Sequence, residues 1–421
     1  MHHFAYRDGV LHAEDVSLAA IAQAAGTPFY CYSTATLTRH YKVFADAFEG
    51  ADTLVCYSIK ANSNIAVLKT LGNLGSGMDV VSEGELRRAR AAGIAAERIV
   101  FSGVGKTKAE MAYALDEGIY AFNVESEPEL AALNEVAVQK GVKARAAFRV
   151  NPDIDPRTHK KISTGKAEDK FGVPFGKARS LYGEAASMAG VNPCGIHMHI
   201  GSQITDLKPF ANAFALLRQL AGQLGDDGIA LEFINFGGGL GVPYKDDDPE
   251  PPLPSEYAKT VLGAAKDLGV KLLFEPGRMI AANAGILVTK VLYVKEGAKT
   301  TFTIVDAAMN DLIRPTLYEA WHEIKPVSEA LAKAPRRATD VVGPVCETGD
   351  YLALGRELPA FSSGDLVAVM TAGAYGAVQS STYNTRPLIA ETMVNGADYA
   401  VIRERPSYQQ MLGLDRMPGW L

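Results

Sequence analysis

Lys60 closes the run Leu54-Val55-Cys56-Tyr57-Ser58-Ile59-Lys60-Ala61-Asn62, an apolar, strand-like segment that ends in a lone amine and then a turn. Burial at a strand end disfavours the ammonium form and lowers the pKa. An amine that loses its proton near neutrality can form a Schiff base with an aldehyde. A lysine snorkelling from a strand end to the surface has the same local sequence, so the motifs that follow decide between the two. Gly237-Gly238-Gly239-Leu240-Gly241 would let backbone N–H groups approach an anion with no Cβ in the way. Its spacing differs from the GxGxxG of dinucleotide folds, which argues against NAD. His197 and His199 alternate along one strand and so point to one side. Such a pair can bind a metal, but further His or Asp ligands at neighbouring strand ends are sparse. The reading is therefore no metal, with His199 stacked on a flat ring and His197 a hydrogen-bonded core residue. Glu275, in Glu275-Pro276-Gly277-Arg278, would face a pyridine nitrogen and keep it protonated, making the ring an electron sink. A salt bridge to Arg278 is compatible with that role.

The elements that position these residues read as alternating strands and helices from about residue 50 to 280. Strands are expected at 53–58, 78–81, 98–102, 119–124, 144–150, 195–200, 231–236 and 271–275, with helical stretches such as 83–92, 106–117 and 127–140 between them. This alternation implies βαβ units, and eight of them suit a (β/α)8 TIM barrel better than an open sheet. In such a barrel the strand C-termini form the active-site mouth, and Lys60, Asp79, Asn123, His199, Gly237 and Glu275 all fall at or beside those ends. The polar stretch 151–173 is the candidate lid. Beyond residue 285, strands are expected at 286–294, 300–306, 337–345, 364–371 and 399–403, with helix around 317–332. This describes a C-terminal mainly-β, β-barrel-like domain. The expected division is a barrel over 26–283 and a β domain formed by 1–25 with 284–421. The acidic loop 245–252 reads as solvated surface.

The chain has 421 residues, 48% hydrophobic and 21% charged, with a formal net charge of −6. It can bury large cores and lacks the basic balance of a nucleic-acid surface. Cys31, Cys56, Cys194 and Cys346 are widely spaced, with no CxxC pair, as expected of free thiols in a reducing compartment. The charged first residues do not form a signal-peptide core, and no run is long enough for a membrane span. The expectation is a cytoplasmic protein with no nucleic-acid or membrane partner.

In the β domain, Arg314-Pro315-Thr316-Leu317-Tyr318, Cys346-Glu347-Thr348-Gly349-Asp350 and Ala374-Tyr375-Gly376 have no role fixed by composition, since each suits a turn. Taken in order with YSIKAN (57–62), HMHIGSQ (197–203), GGGLG (237–241) and EPGR (275–278), they resemble the diaminopimelate decarboxylase family, pyridoxal phosphate enzymes of the alanine-racemase-like barrel class. The match spans nearly the whole chain, and its specificity lies in the conjunction. The resemblance implies pyridoxal 5'-phosphate held on Lys60, with His199 against its ring and Glu275 at the pyridine nitrogen. Ser202, Gly237, Gly238, Gly239, Gly277, Arg278 and Tyr375 would complete the cofactor site. Arg278, Arg314, Tyr318, Glu347 and Tyr375 would hold the substrate's distal carboxylate and amine. Cys346 would be the proton donor, supplied across a homodimer with shared sites. The residue chemistry agrees, because a distal carboxylate needs guanidinium groups and a distal ammonium needs an anion. A polyamine-type substrate would leave the two arginines without a partner. Other readings of the same residues are a sister decarboxylase, a metal-dependent barrel hydrolase and a silent cofactor-binding protein.

Overall fold

Apolar runs bounded by capped helices give the first unit its shape. The computed structural model describes residues 2–156 and 158–421, and these divide into two compact units, one of 38–243 with 249–280, the other of 1–37, 244–248 and 281–421. Residues 26–37, which the sequence pattern placed with the barrel, lie in the β unit, as does the short segment 244–248.

The first unit is a barrel of eight parallel strands: β1 (Thr53–Ser58), β2 (Gly77–Val80), β3 (Ile99–Phe101), β4 (Ala121–Val124), β5 (Ala144–Asn151), β6 (Val191–His197), β7 (Phe233–Asn235) and β8 (Lys271–Phe274). β8 pairs with β1 through Leu273 opposite Leu54, and β4 pairs with β5 through Phe122 opposite Ala146, so no edge is left open. Helix starts follow the expected capping chemistry. Ser82 and Ser126 accept from the third helical N–H, and Thr107 forms a reciprocal capping box with Glu110. Inside the ring Leu54, Cys56, Val100, Ala121, Ala147, Cys194, Phe233 and Leu273 pack as one buried layer. Gly195 is required there, because a Cβ would stand 2.3 Å from the Phe233 ring. Above this layer the interior turns polar, with Asp79, Asn123, His197 and Asn235 buried on four different strands.

In the β unit a long strand, Gly285–Glu296, is the organiser. Its first half pairs antiparallel with Phe29–Ser33 and Leu366–Val369, and its second half with Thr301–Val305. Phe29–Ser33 also pairs in parallel with Ala390–Asn395 and is buried at all five positions. Residues 4–25 form three short strands and a helix, whose Phe4, Leu11, Leu18 and Ile21 share a core with Phe29, Ile286, Val288 and Val394. Strands at Ile324–Pro326, Tyr351–Pro359 and Ala390–Asn395 were not anticipated. The helix expected over 317–332 is corrected to two short pieces, Arg314–Tyr318 and Glu329–Ala332, on either side of Ile324–Pro326. Glu319 after the first piece has φ 53°, which breaks the helix. The acidic loop is exposed at residues 245–247, 249 and 250, as expected of solvated surface, and its first residues make two surface contacts. Asp246 pairs with Lys325 at 3.2 Å, and Lys245 lies over the Trp321 ring at 4.6 Å. Among the described residues no helix is long and apolar enough to cross a membrane.

Candidate active site

β1 delivers Lys60 on a single 3-10 turn, Ile59–Ala61. Its Nζ donates to Asp79 Oδ2 at 2.9 Å, and the same oxygen accepts from Ser58 Oγ at 2.7 Å. Asp79 is fully buried on β2. The Lys60 side chain keeps 37% exposure. Desolvation is therefore less complete than the strand-end position suggested, and a buried anion fixes the direction of the amine. Glu85, in the first turn of the helix that follows β2, accepts from Val81 N–H at 2.8 Å. Burial pushes its carboxyl up to about 7, against the opposing pulls of that N–H and of the Lys60 cation.

Glu275 extends from the end of β8 into the most constrained position in the barrel. Asn123 Nδ2 from β4 and Asn235 Nδ2 from β7 both donate to Oε1, at 2.9 and 2.6 Å. His197 Nε2, from the end of β6, stands 3.2 Å from Oε2, close enough to act electrostatically but outside hydrogen-bond alignment. His197 therefore lacks the hydrogen bond expected of a core histidine. Burial acts to raise the Glu275 pKa. The His197 ring and the Lys60 cation together outweigh burial and hold the carboxyl well below the usual carboxylate range.

His199 lies two residues further, where Nδ1 accepts from Gly238 N–H at 3.2 Å. The residue as a whole is half-buried. Even so, burial, reinforced by the Arg149 and Lys60 cations, holds its pKa well below the ordinary histidine value, so the ring is neutral. Arg149 is itself paired with Glu125 at 2.9 Å, and Glu125 also accepts from Gly103 and Gly172 N–H. The long connection after β5 is tethered beside this point. Thr164 Oγ1 donates to the His199 carbonyl, and Ser202 N–H to the Ile162 carbonyl, each at 3.2 Å.

The glycine run is set by close approach. A Cβ on Gly238 would meet the Glu275 carbonyl at 2.2 Å, one on Gly239 the Gly201 carbonyl at 2.6 Å, and Gly237 (φ 64°) has Met198 O equally near, at 2.6 Å. Only glycine lets this loop lie against the ends of β6 and β8. Gly277 is less crowded, with Ser58 and Ala61 Cβ atoms 3.1 Å from where its Cβ would stand. Arg278 is buried and directs Nε and Nη2 onto Ser202 Oγ at 3.2 and 3.0 Å. The barrel mouth therefore gathers Lys60, His199, Ser202, Gly237, Gly238, Gly239, Glu275, Gly277 and Arg278.

The remaining expected site residues belong to the β unit. Arg314 is buried on the one-turn helix Arg314–Tyr318, its guanidinium 4.9 Å from the Tyr244 ring centre and 6.0 Å from that of Tyr318. Glu347 accepts from Tyr383 O–H at 3.0 Å. Cys346 is exposed, while Cys31, Cys56 and Cys194 are buried, and Asn384 Nδ2 donates to its Sγ at 3.3 Å. Tyr375 is half-buried with φ 57°, between Ala374 and a Gly376 whose Cβ would press on Tyr30 and the Ala372 carbonyl. Sequence reasoning assigned no role to Asp79, Asn123, Asn235, Glu85, Tyr383 or Asn384. The available signal was a polar residue inside an apolar strand, as with Asp79, Asn123 and Asn235.

Comparison with known proteins places this geometry in a class. Residues 34–282 match the family described as pyridoxal-dependent decarboxylase, pyridoxal binding domain. The chain is 49% identical over 421 residues to the diaminopimelate decarboxylase of Zymomonas mobilis, covering 99% of each. It is similar to the crystal structure of the M. jannaschii diaminopimelate decarboxylase in co-complex with L-lysine, with a TM-score of 0.94 and 35% identity, covering 100% of each chain. A Helicobacter pylori diaminopimelate decarboxylase, also complexed with L-lysine, matches with a TM-score of 0.90 and 41% identity, covering 94% of this chain and 98% of that one. The chain belongs to the pyridoxal-dependent decarboxylases and, within them, to the diaminopimelate decarboxylase family. Its residues fit pyridoxal phosphate, since the mouth offers an amine, a neutral imidazole, a carboxylate held ionised and a buried guanidinium.

Proposed function

We propose that this protein removes the carboxylate from the D-configured centre of meso-2,6-diaminopimelate, releasing CO2 and L-lysine in the last step of lysine biosynthesis. The observation that carries this reading is the Glu275 carboxylate, buried yet held ionised by groups from three other strands. That arrangement is wasteful for a structural residue and suited to a permanently protonated ring nitrogen. When bound, pyridoxal phosphate supplies the electron sink that makes loss of CO2 feasible.

The protein's own residues do the rest. Lys60 holds the cofactor through its amine, with Asp79 aiming that amine. His199, neutral, lies against the ring and adds no positive charge to it. Ser202, Arg278 and the turn formed by Gly237, Gly238 and Gly239 take the phosphate, with Gly277 and Tyr375 as further cofactor contacts. Arg314 and Arg278 hold the distal carboxylate and Glu347 the distal ammonium, with Tyr318 and Tyr375 walling the pocket. Cys346 delivers a proton to the carbon that has lost CO2, leaving that carbon as the CH2 bearing the ε-amine of lysine. Cys346 is exposed within its own unit, which supports its donation to the partner subunit of a homodimer. The buried free thiols and the biosynthetic role support a cytoplasmic location.

The test is the absorbance of the purified protein with pyridoxal phosphate, followed by meso-diaminopimelate and measurement of CO2 and L-lysine. Equal yields of the two products are expected, with turnover and the bound-cofactor band both lost in Lys60→Ala. Turnover retained in Lys60→Ala would reject the role of Lys60. A cofactor band with no turnover on meso-diaminopimelate would reject the substrate.

A further inference from the structure

The β unit contains a fully buried histidine outside the expected site. His322 has no exposed surface. It directly precedes Glu323, whose carbonyl accepts from Met370 N–H at 2.8 Å, and the strands Ile324–Pro326 and Leu366–Val369 continue that pairing. The Arg356 guanidinium donates to the His322 carbonyl at 3.1 Å. The backbone of His322 is therefore fixed from both sides.

The two ring nitrogens face groups of opposite kind. Nδ1 lies 2.9 Å from the Met370 carbonyl, which can only accept, so Nδ1 carries the hydrogen. Nε2 lies 3.3 Å from Arg314 Nε, which can only donate, so Nε2 presents its lone pair. The two contacts together require a neutral ring in one tautomer. Tyr244 closes the third side, edge-on to His322 with centroids 5.3 Å apart, while its ring also lies under the Arg314 guanidinium. Arg314 is thus gripped at Nε by an imidazole and on its face by an aromatic ring. This grip sets the plane of the guanidinium, and with it the direction of the terminal nitrogens that make a forked contact with a carboxylate.

We infer that His322 is the positioning residue for Arg314: it fixes the guanidinium through Nε and thereby sets recognition of a substrate carboxylate remote from the reacting carbon. The inference rests on the proposed role of Arg314. A histidine that merely filled space behind the helix Arg314–Tyr318 would not need an acceptor at Nε2. The arrangement also separates recognition from chemistry. His322 touches Arg314, the Tyr244 ring that packs on Arg314, and backbone, so its loss acts on binding of the distal group.

The experiment compares His322→Phe, His322→Gln and Arg314→Ala in the cofactor-loaded enzyme. Three quantities are read: KM and kcat for meso-diaminopimelate, Ki for L-lysine, which keeps the distal carboxylate, and Ki for cadaverine, which lacks it. Hydrogen bonds to charged groups lead us to expect His322→Phe to raise KM and the L-lysine Ki by about ten- to a hundred-fold. The cadaverine Ki should stay within about two-fold, and kcat should change far less than KM. His322→Gln places an acceptor near the Nε2 position and should recover most of the loss. If His322→Phe does not fold, His322→Asn replaces it, keeping a donor toward Met370 O while removing the acceptor for Arg314. Unchanged KM and L-lysine Ki in the His322 variants, alongside a clear rise in Arg314→Ala, would overturn the inference alone. Equal losses for L-lysine and cadaverine would overturn it too, as general damage to the site. No rise in Arg314→Ala would instead remove the underlying role of Arg314.

Discussion

Lys60 Nζ and Asp79 Oδ2 meet at 2.9 Å, the lysine on the turn after one barrel strand and the aspartate buried on the next. An opposite charge at that distance favours the ammonium form. Asp79→Asn keeps the shape and removes the charge. Reductive trapping of pyridoxal phosphate on cofactor-stripped protein should then proceed at lower pH. The shift should be about one pH unit, at the small end of the range because the lysine is partly exposed. An unmoved or upward-shifted profile would reject the electrostatic role of Asp79.

Glu275→Gln should lower kcat by about a hundred-fold or more, as for loss of a preorganised charge in a dry site. A second readout needs no turnover. A carboxyl depressed in the folded state stabilises the fold above its unfolded pKa, and that stability is lost as pH falls through the folded value. In cofactor-free protein the wild-type Tm should therefore fall more steeply than that of Glu275→Gln below about pH 4. Parallel Tm curves would show that Glu275 is not held ionised.

Cys346→Ala should reduce kcat by about a hundred-fold while leaving the bound-cofactor absorbance near that of the wild type, in keeping with loss of a general acid. Asn384 cradles this thiol from two directions, accepting from Cys346 N–H at 3.2 Å and donating to Sγ at 3.3 Å. Asn384→Ala should cost about three- to ten-fold in kcat and change the rate at which Cys346 is alkylated in proportion. An alkylation rate equal to that of the wild type would remove Asn384 as the orienting group.

Glu85 gives the opposite pH signature to Glu275. Burial raises its carboxyl to about 7, so the folded state holds a proton that the unfolded chain has released. Its contribution to stability therefore declines as pH rises from about 4.5 to 7. Glu85→Gln should raise Tm relative to the wild type at pH 8 and match it at pH 5. A difference that does not change between those pH values would contradict the raised carboxyl.

The barrel was legible because its strands are short apolar runs at regular spacing, and their ends fall within a few residues of the observed ones. The motif residues of the barrel were legible because they stand at or just beyond such ends, whereas Arg314, Tyr318, Cys346, Glu347 and Tyr375 of the β unit were legible only through the family resemblance. Their partners were harder to read. Asn123 and Asn235 sit within strands and act on a carboxylate 152 and 40 residues away along the chain, a relation set by barrel closure alone. Phe29–Ser33 was hidden for a similar reason, since the apolar run Phe29 to Tyr32 before a helix looks like one more βα unit. Its place is fixed by pairing with Gly285–Glu296 and Ala390–Asn395. The helix over 317–332 failed because local apolar spacing was outweighed by pairing of Ile324–Pro326 with Leu366–Val369.

The placement of Phe29–Ser33 has a consequence for synthesis. This strand leaves the ribosome well before its partners, and although it is buried in the finished sheet at all five positions, both of its neighbours lie more than 250 residues downstream. The barrel can complete itself while the strand waits, but the β unit must close across more than 250 residues of chain. During that interval an apolar strand with two open edges is exposed to self-association. Expression yield and chaperone demand should therefore track the exposure time of residues 29–33 more closely than the stability of the finished fold.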